Sequence, residues 1–518
     1  MTSTTFEPRA EAPPPAKRPR LAPSLGVVVF VVGTGSLGAE IAAARLLAPY
    51  FGASTVIWAN TIGIVLVALS AGYWYGGKRA DRDPSIAGLY KLVLIAGVLT
   101  ALIPFVADPF LSIAVDALDQ IEAGAFVGSL LAVLLLVATP VFVMGMVSPY
   151  ALRLAVHAVG ETGSTAGRLY ALSTLGSLVG NFASALLLIP VLGTRRTFLV
   201  YALAFVVVAL LGLRRRPLVL APIGMVLLMA LPVGTVKAAE EPGSRVIREA
   251  DTEYQYARVV EDDDGDRFLE LNEGQAVHSV RRKGSYLTGD IWDEYLVAPF
   301  VAGDTPPGRI AILGNAAGTT ARAYGEFFPD TYVDGVEIDG ELTEIGRSLF
   351  DMSNPRLETF TDDARPYLRQ TPRRYDAILV DAYRQPYIPF YLATREFFEL
   401  ARDRLRPGGV IFVNVGHPER SQTLEKVLGA TMDTVFSTVL RDPAEPTNTL
   451  LIGTDAPASA ARLRSAVATL PAPLRTRALE ATGRIGPRLR GDTIYTDDKA
   501  PVEWLIDASI VDVAASGG

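Results

Sequence analysis

The chain is expected to fold as a multi-span α-helical membrane bundle followed by a small β region and a Rossmann-like α/β domain. Three observations lead there. Apolar residues make up 50% of the 518 and are concentrated in the first half. The second half alternates short apolar runs of strand character with helical segments. Within it, residues 309–337, RIAILGNAAGTTARAYGEFFPDTYVDGVE, read as strand, glycine turn, helix and a strand ending in an acid. That order is the pattern of a nucleotide-binding βαβ unit.

Residues 1–23 are rich in Pro and Ala and carry Lys17, Arg18 and Arg20. They read as a disordered cytoplasmic tail, since no small-residue cleavage pattern follows a short apolar core. Residues 24–234 are expected to form the membrane region. Apolar stretches fall at about 24–48, 55–77, 89–107, 123–150, 167–190, 195–213 and 217–234, each near the ~20 residues that a bilayer core requires. Seven helices follow, the short last one being the weakest. Gly176-x-x-x-Gly180 would let two helices approach closely. Glu40, Arg45, Asn60 and Asn181 are the polar interruptions; Glu40 is expected to bond within the bundle and Arg45 to snorkel to an interface. No paired repeat of the transporter kind stands out.

Residues 235–250 are polar and read as a linker, and 251–285 as the small β region, with strands at 254–260 and Arg267–Leu271. The acidic run between them, 261–266, lacks the glycine and glutamate spacing of a calcium loop and reads as a solvated hairpin turn. The α/β domain is assigned to 286–518. It opens with a helix at 290–301 that carries Trp292, Asp293 and Glu294. Strand Arg309–Leu313 then leads through Gly314 and Gly318 into helix Thr319–Phe327, and strand 332–338 follows. The turn brings backbone close to a ligand, and the helix start favours polar or anionic groups. Glu337 lies near the spacing of about 20 residues at which such an acid reaches ribose hydroxyls. Strand Leu357–Thr361 runs into Asp362 and Asp363, and strand Tyr375–Val380 into Asp381. A helix at 394–405, stopped by Pro407, Gly408 and Gly409, precedes a strand at 410–415. Each acid alone could be a cap or turn residue. Three of them ending successive parallel strands point to a ligand crevice.

Composition removes several classes. With no cysteine there are no disulfides or thiolate metal sites. His157, His278 and His417 are too few and too scattered for a zinc site. A net charge of −7 argues against a nucleic-acid partner.

These residues resemble the membrane-fused form of the spermidine synthase (polyamine aminopropyltransferase) family. Tyr254-Gln255 resembles the family's opening pair, and Leu271-Asn272-Glu273-Gly274 with Gln275 and His278 its following segment. Trp292-Asp293-Glu294, Val336-Glu337-Ile338-Asp339, Asp362-Asp363-Ala364 and the strand ending Asp381-Ala382-Tyr383 resemble four further motifs, and Thr496-Asp497-Asp498 through Trp504 the closing one. The resemblance implies a methyltransferase-type Rossmann fold and aminopropyl transfer from decarboxylated S-adenosylmethionine, a co-substrate, to a polyamine or other amine. It implies no tightly bound cofactor and no metal. It implies that Asp381 is catalytic and that Gly314, Gly318, Glu337, Asp362, Asp363, Gln255 and Gln275 hold the nucleoside. Trp292, Asp293, Glu294, Tyr383 and Gln385 are implied on the amine side. The chain departs from the family at Ala317, where the loop has an aspartate that holds the donor amine, at Gln385, which replaces an aspartate, and at Trp292, which replaces a tyrosine. The amine end is therefore altered while the nucleoside end is kept.

Two rivals stay open: a methyltransferase-like enzyme using S-adenosylmethionine, and a non-catalytic or extracytoplasmic nucleoside- or polyamine-binding module on a membrane bundle. Partners beyond the small molecules are the lipid bilayer and a second copy of the chain. The positive-inside rule puts the N-terminus in the cytoplasm. Seven spans would then deliver the soluble half outside. The cytoplasmic origin of S-adenosyl donors favours the cytoplasmic side instead, with the weak seventh segment not crossing.

Overall fold

Small residues decide how the first half packs. In the computed structural model, which describes residues 24–51, 55–118, 130–156, 162–213, 220–230, 242–272, 277–383, 388–419 and 421–506, the bundle comprises α1 (Leu25–Phe51), α2 (Thr55–Arg82), α3 (Ile86–Leu118), α4 (Leu130–Ala155), α5 (Thr162–Leu192), α6 (Thr194–Leu213) and α7 (Leu220–Ala230). Gly176 and Gly180 of α5 sit directly on the carbonyls of Phe30 and Thr34 of α1, leaving no space for a Cβ. This is the close approach expected of that glycine pair. Gly72 and Gly76 of α2 meet Phe142 and Met146 of α4 in the same way, and Gly97 of α3 meets α6 at Ala202. Large apolar side chains such as Leu66, Trp74, Leu187 and Val191 face outward, which suits a lipid surface.

Against the seven expected spans, five helices among the described residues are long and apolar enough to cross a membrane: α1, α3, α4, α5 and α6. α7 is described over 11 residues, and α2 ends in a charged turn with Lys78, Arg79, Asp81 and Arg82. The tail 1–23 lies outside the described residues.

The soluble half begins with a four-stranded antiparallel sheet, β1 (Arg245–Asp251), β2 (Tyr256–Glu261), β3 (Arg267–Leu271) and β4 (Val277–Arg281), in that spatial order. β1 occupies part of what reads as a polar linker. Its side chains are only half-buried, so the strand is held by pairing to β2 rather than by an apolar pattern. The acidic run is a hairpin turn as expected: the Asp262 carboxylate accepts from the N–H groups of Asp264 and Asp266.

The second sheet has eight strands: β5 (Arg309–Leu313), β6 (Tyr332–Glu337), β7 (Leu357–Thr361), β8 (Tyr375–Val380), β9 (Leu405–Gly416), β10 (Thr438–Glu445), β11 (Asn448–Thr454) and β12 (Gly486–Pro487). Their order is β12-β10-β11-β9-β8-β5-β6-β7, parallel from β9 to β7 and antiparallel beyond β9. Strand residues alternate between two cores. Leu313, Ile378, Val380, Ile411 and Val413 pack with Phe397 and Phe398 on one face. Ile310, Ile312, Leu379 and Phe412 pack with Tyr324 and Leu463 on the other. The helices that cover them include α8 (Thr319–Phe327), α10 (Ala364–Gln370), α11 (Arg395–Arg404), α12 (Thr423–Asp433), α13 (Ala460–Ala466) and α14 (Arg475–Arg484), while α9 (Gly340–Leu349) packs through Leu342 and Ile345 on the small sheet.

Two expected elements differ. The helix at 290–301 is three short turns, Ile291–Asp293, Glu294–Val297 and Ala298–Val301; Pro299 has no N–H to continue the ladder. The glycines after α11 do not end an element before a separate strand. β9 already starts at Leu405 and carries Gly408 at φ +82°, and its pairing with β8 slips between Tyr375↔Leu405 and Ala377↔Val410. That is a bulge built from residues that read as a stop.

Candidate functional site

β5 is the strand from which the chain proceeds to both sides of the sheet, with β6 on one flank and β8 on the other. Such a switch point opens a crevice at the carboxyl ends of the strands. A cavity of about 930 Å³ occupies it, lined by Gly314, Glu337, Asp362, Asp363 and Asp381, with Tyr254 and Gln255 from the small sheet and Trp292 and Tyr383 further round. The turn after β5 is forced to be close. Gly314 has φ +90°, and a Cβ there would lie 2.5 Å from the Asp381 carbonyl oxygen.

Glu337 ends β6 and is 7% exposed. Its Oε2 accepts from the Ala316 N–H at 2.8 Å and its Oε1 from the Asp339 N–H at 3.1 Å. Burial pushes its pKa up to about 7, partly offset by those backbone bonds. Asp363 caps α10, accepting from the Arg365 N–H at 3.1 Å, and its other oxygen accepts from the Tyr391 hydroxyl at 2.7 Å. Asp362 stands beside it on the cavity wall, one oxygen accepting from the Asp363 N–H at 2.8 Å. Asp381, at the end of β8, accepts from the Asn414 amide at 2.8 Å. Asn448 donates to the carbonyl oxygen of that amide at 2.9 Å, which turns the amide nitrogen toward Asp381. Burial raises the Asp381 pKa, with Asn414 first among the neighbours drawing it back. A buried acid oriented by neighbouring donors and open to a cavity can accept a proton from a bound amine.

Residues 294–450 match the model of the spermine/spermidine synthase domain. These residues carry a spermine/spermidine synthase domain. The chain is similar to a probable polyamine aminopropyl transferase of Bifidobacterium longum, 32% identical over 290 residues, 51% of this chain and 64% of the relative. It is also similar to polyamine aminopropyltransferase 2 of Pseudomonas aeruginosa, 30% identical over 206 residues, 38% of this chain and 56% of the relative. The chain thus spans less than two thirds of the length of these relatives. Among solved structures, a probable spermidine synthase from Corynebacterium glutamicum aligns over 49% of this chain and 98% of its own, with 23% identity and a TM-score of 0.37.

The synthase domain brings together most of the residues expected at its site, but not all. Gly318 has φ +84° and packs on Met352 behind the loop rather than lining the cavity. Asp293 and Glu294 serve the scaffold. Asp293 accepts from the N–H groups of Thr288 and Gly289 at 3.0 and 2.9 Å, while Glu294, 1% exposed, is clamped by Arg484 at 2.7 Å and Arg477 at 3.3 Å. Their neighbour Trp292 is the one that reaches the cavity. Ala317 is fully buried among Ala257, Leu271 and Leu342. Gln275 and Gln385 lie outside the described residues.

Sequence reasoning missed Asn414, Asp290 and Glu445, all on the cavity wall. Asn414 sits inside a strand, and Glu445 ends β10, a strand whose pairing only the three-dimensional structure defines. Burial raises the pKa of both Asp290 and Glu445, and the Asp290 charge raises that of Glu445 further. The closing motif also has a place: Asp497 forms a two-pronged ion pair with Arg365, at 2.8 and 2.6 Å, and accepts from Thr394. It thereby ties the C-terminal segment to the turn that carries Asp363.

Proposed function

We propose that the synthase domain binds decarboxylated S-adenosylmethionine and transfers its aminopropyl group to a polyamine or other amine. The observation that supports this most is the convergence of Glu337, Asp362, Asp363 and Asp381 on one cavity at the ends of adjacent strands. In this reading Glu337 accepts from the ribose hydroxyls, and Asp362 and Asp363 face the adenine. Trp292 and Tyr383 flank the acceptor. The unprotonated acceptor nitrogen attacks the propyl carbon next to the sulfonium. The new C–N bond forms as the C–S bond breaks, the electron pair stays on sulfur, and methylthioadenosine leaves as a neutral thioether. The extra proton on nitrogen passes to Asp381. Holding the two reactants in line supplies most of the acceleration, roughly 7–11 kcal/mol when alignment is good. Asp290 and Glu445 provide negative charge for a second ammonium, a role that Ala317 cannot fill. Denaturing the purified protein and identifying any released nucleoside by mass spectrometry tests the reading. Methylthioadenosine or an S-adenosyl donor is expected; release of S-adenosylhomocysteine would favour methyl transfer instead.

We infer further that the helical half is a membrane anchor and that the synthase domain lies on the outer face. Arg45, near the end of α1, and Thr194, at the start of α6, touch the soluble half. Lys78, Arg79, Arg82, Lys91, Arg153 and Arg168 lie toward the opposite helix ends, where Arg153 pairs with Asp81 at 3.0 Å. By the positive-inside rule that opposite end is cytoplasmic. Arg195 and Arg196 count against this, being on the domain side. Met225 of α7 packs with Ala202 and Val206 at mid-length of α6, as a crossing segment would. This reading departs from the cytoplasmic side expected from the motif, and it requires the donor to be available on the outer face.

A further inference from the structure

The turn joining β1 to β2 is held from two sides. Asp251 pairs with Tyr256 across the hairpin, so Thr252, Glu253, Tyr254 and Gln255 form the turn, closed by a bond from the Thr252 N–H to the Gln255 carbonyl at 2.9 Å. On the side of the nucleotide unit, the Thr252 hydroxyl donates to Asp339 Oδ2 at 2.6 Å, and Gln255 Nε2 reaches the same oxygen at 3.4 Å. The Asp339 N–H in turn donates to Glu337 Oε1 at 3.1 Å. Tyr254 and Gln255 stand on the cavity wall with Glu337.

On its other side the turn is held by the helical bundle. Arg45 Nη2 of α1 donates to the Thr252 carbonyl at 2.8 Å and also to that of Glu253, and its Nη1 lies 4.0 Å from Asp251 Oδ1. Thr194, the first residue of α6, donates to Asp251 Oδ2 through its N–H at 3.2 Å and through its hydroxyl. Arg45 is therefore not a snorkelling cation. An arginine near the end of an apolar helix is costly unless its donors are satisfied, and these are satisfied by carbonyls of the synthase half.

We infer that Arg45 and Thr194 are positioning residues for the nucleoside site. Two helices of the bundle fix the β1–β2 turn, and through Thr252 and Asp339 that turn fixes the Glu337 carboxylate and the Tyr254–Gln255 wall. The bundle is then part of the site's framework, and a shift of α1 against α6 changes nucleoside affinity. By linkage, a bound nucleoside stiffens the contact between the two halves. A contiguous hydrogen-bonded chain of this kind is a physical route by which coupling can travel.

The inference rests on the nucleoside reading above, and its test separates the two. The full-length protein is placed in lipid nanodiscs, methylthioadenosine affinity is measured by calorimetry, and backbone hydrogen exchange is followed without ligand. Arg45→Ala and Thr194→Val should each weaken methylthioadenosine binding by about threefold to tenfold and speed exchange at 252–256, while 309–313 exchanges as in wild type. Arg45→Lys, still a donor to both carbonyls, should recover most of the loss. Wild-type affinity together with wild-type exchange at 252–256 in a folded Arg45→Ala or Thr194→Val protein overturns the inference. If the wild type itself does not bind methylthioadenosine, the nucleoside reading fails, and exchange at 252–256 still decides whether the bundle holds the turn.

Discussion

Glu337 is held by two backbone N–H groups, yet burial lifts its pKa to about 7. Ribose hydroxyls donate best to the ionised form, so nucleoside affinity should rise as pH climbs from about 6 to 8. Glu337→Gln should bind more weakly, by about 1.5–3 kcal/mol at pH 8, and lose the pH dependence. Titration calorimetry at several pH values reads both effects; a wild type with flat affinity would remove Glu337 from the ribose. The sign for stability is the reverse. The folded protein holds this proton up to about pH 7 and the unfolded chain only to about 4.5, so the glutamate's contribution falls as pH rises through that window. In the proposed reaction Asp381 takes the proton of the acceptor nitrogen. Asp381→Asn keeps the shape and removes the proton acceptor, so turnover should fall roughly 10²-fold with nucleoside binding retained. Steady-state kinetics beside calorimetry separates the two, and an unchanged turnover would make Asp381 a structural strand-end residue.

At the scale of elements, the βαβ unit was legible because its signals are local. A buried run such as Ile310–Leu313, a glycine with positive φ and a terminal acid are each visible in a few residues. β5 and β8 carry the bounds read from the sequence, and β6 differs by one residue at its end. What was not legible depends on pairing across distance. β1 looks like a linker because its side chains are polar, and β4 and β10–β12 gain their place from neighbours. The site divides in the same way. Glu337, Asp363 and Asp381 stand out as strand-end acids, whereas Asn414 points into the cavity from mid-strand and only Asn448 explains its orientation. Asp293 and Glu294 share a motif with Trp292 but turn away from the cavity to partners the motif does not contain. Gly314 is the most exacting position of the unit. Gly314→Ala would have to sit at φ +90° with its Cβ against the Asp381 carbonyl, and backbone strain alone should cost about 1–3 kcal/mol. Thermal unfolding of the variant should show a lowered midpoint together with weakened nucleoside binding, and a wild-type midpoint would contradict the described turn.

For the whole molecule, the unusual feature is a synthase domain docked on the end of a helical bundle through Arg45 and Thr194. The outward-facing placement proposed for it rests on the Lys- and Arg-rich helix ends on the other side. The chain has no cysteine, so Asp264→Cys in the exposed acidic turn provides a single label site. A membrane-impermeant thiol reagent should modify it in intact cells. Labelling only after permeabilisation would return the domain to the cytoplasmic side. Neither result by itself decides the chemistry, which belongs to the cavity at the end of β5. The most direct measurement of that is a turnover assay: purified full-length protein, decarboxylated S-adenosylmethionine and a diamine, with products followed by mass spectrometry. Aminopropyl transfer gives methylthioadenosine and aminopropylated diamine in equal amounts, both falling roughly 10²-fold in Asp381→Asn. Methylated product with S-adenosylhomocysteine from S-adenosylmethionine, and no methylthioadenosine from the decarboxylated donor, would contradict it.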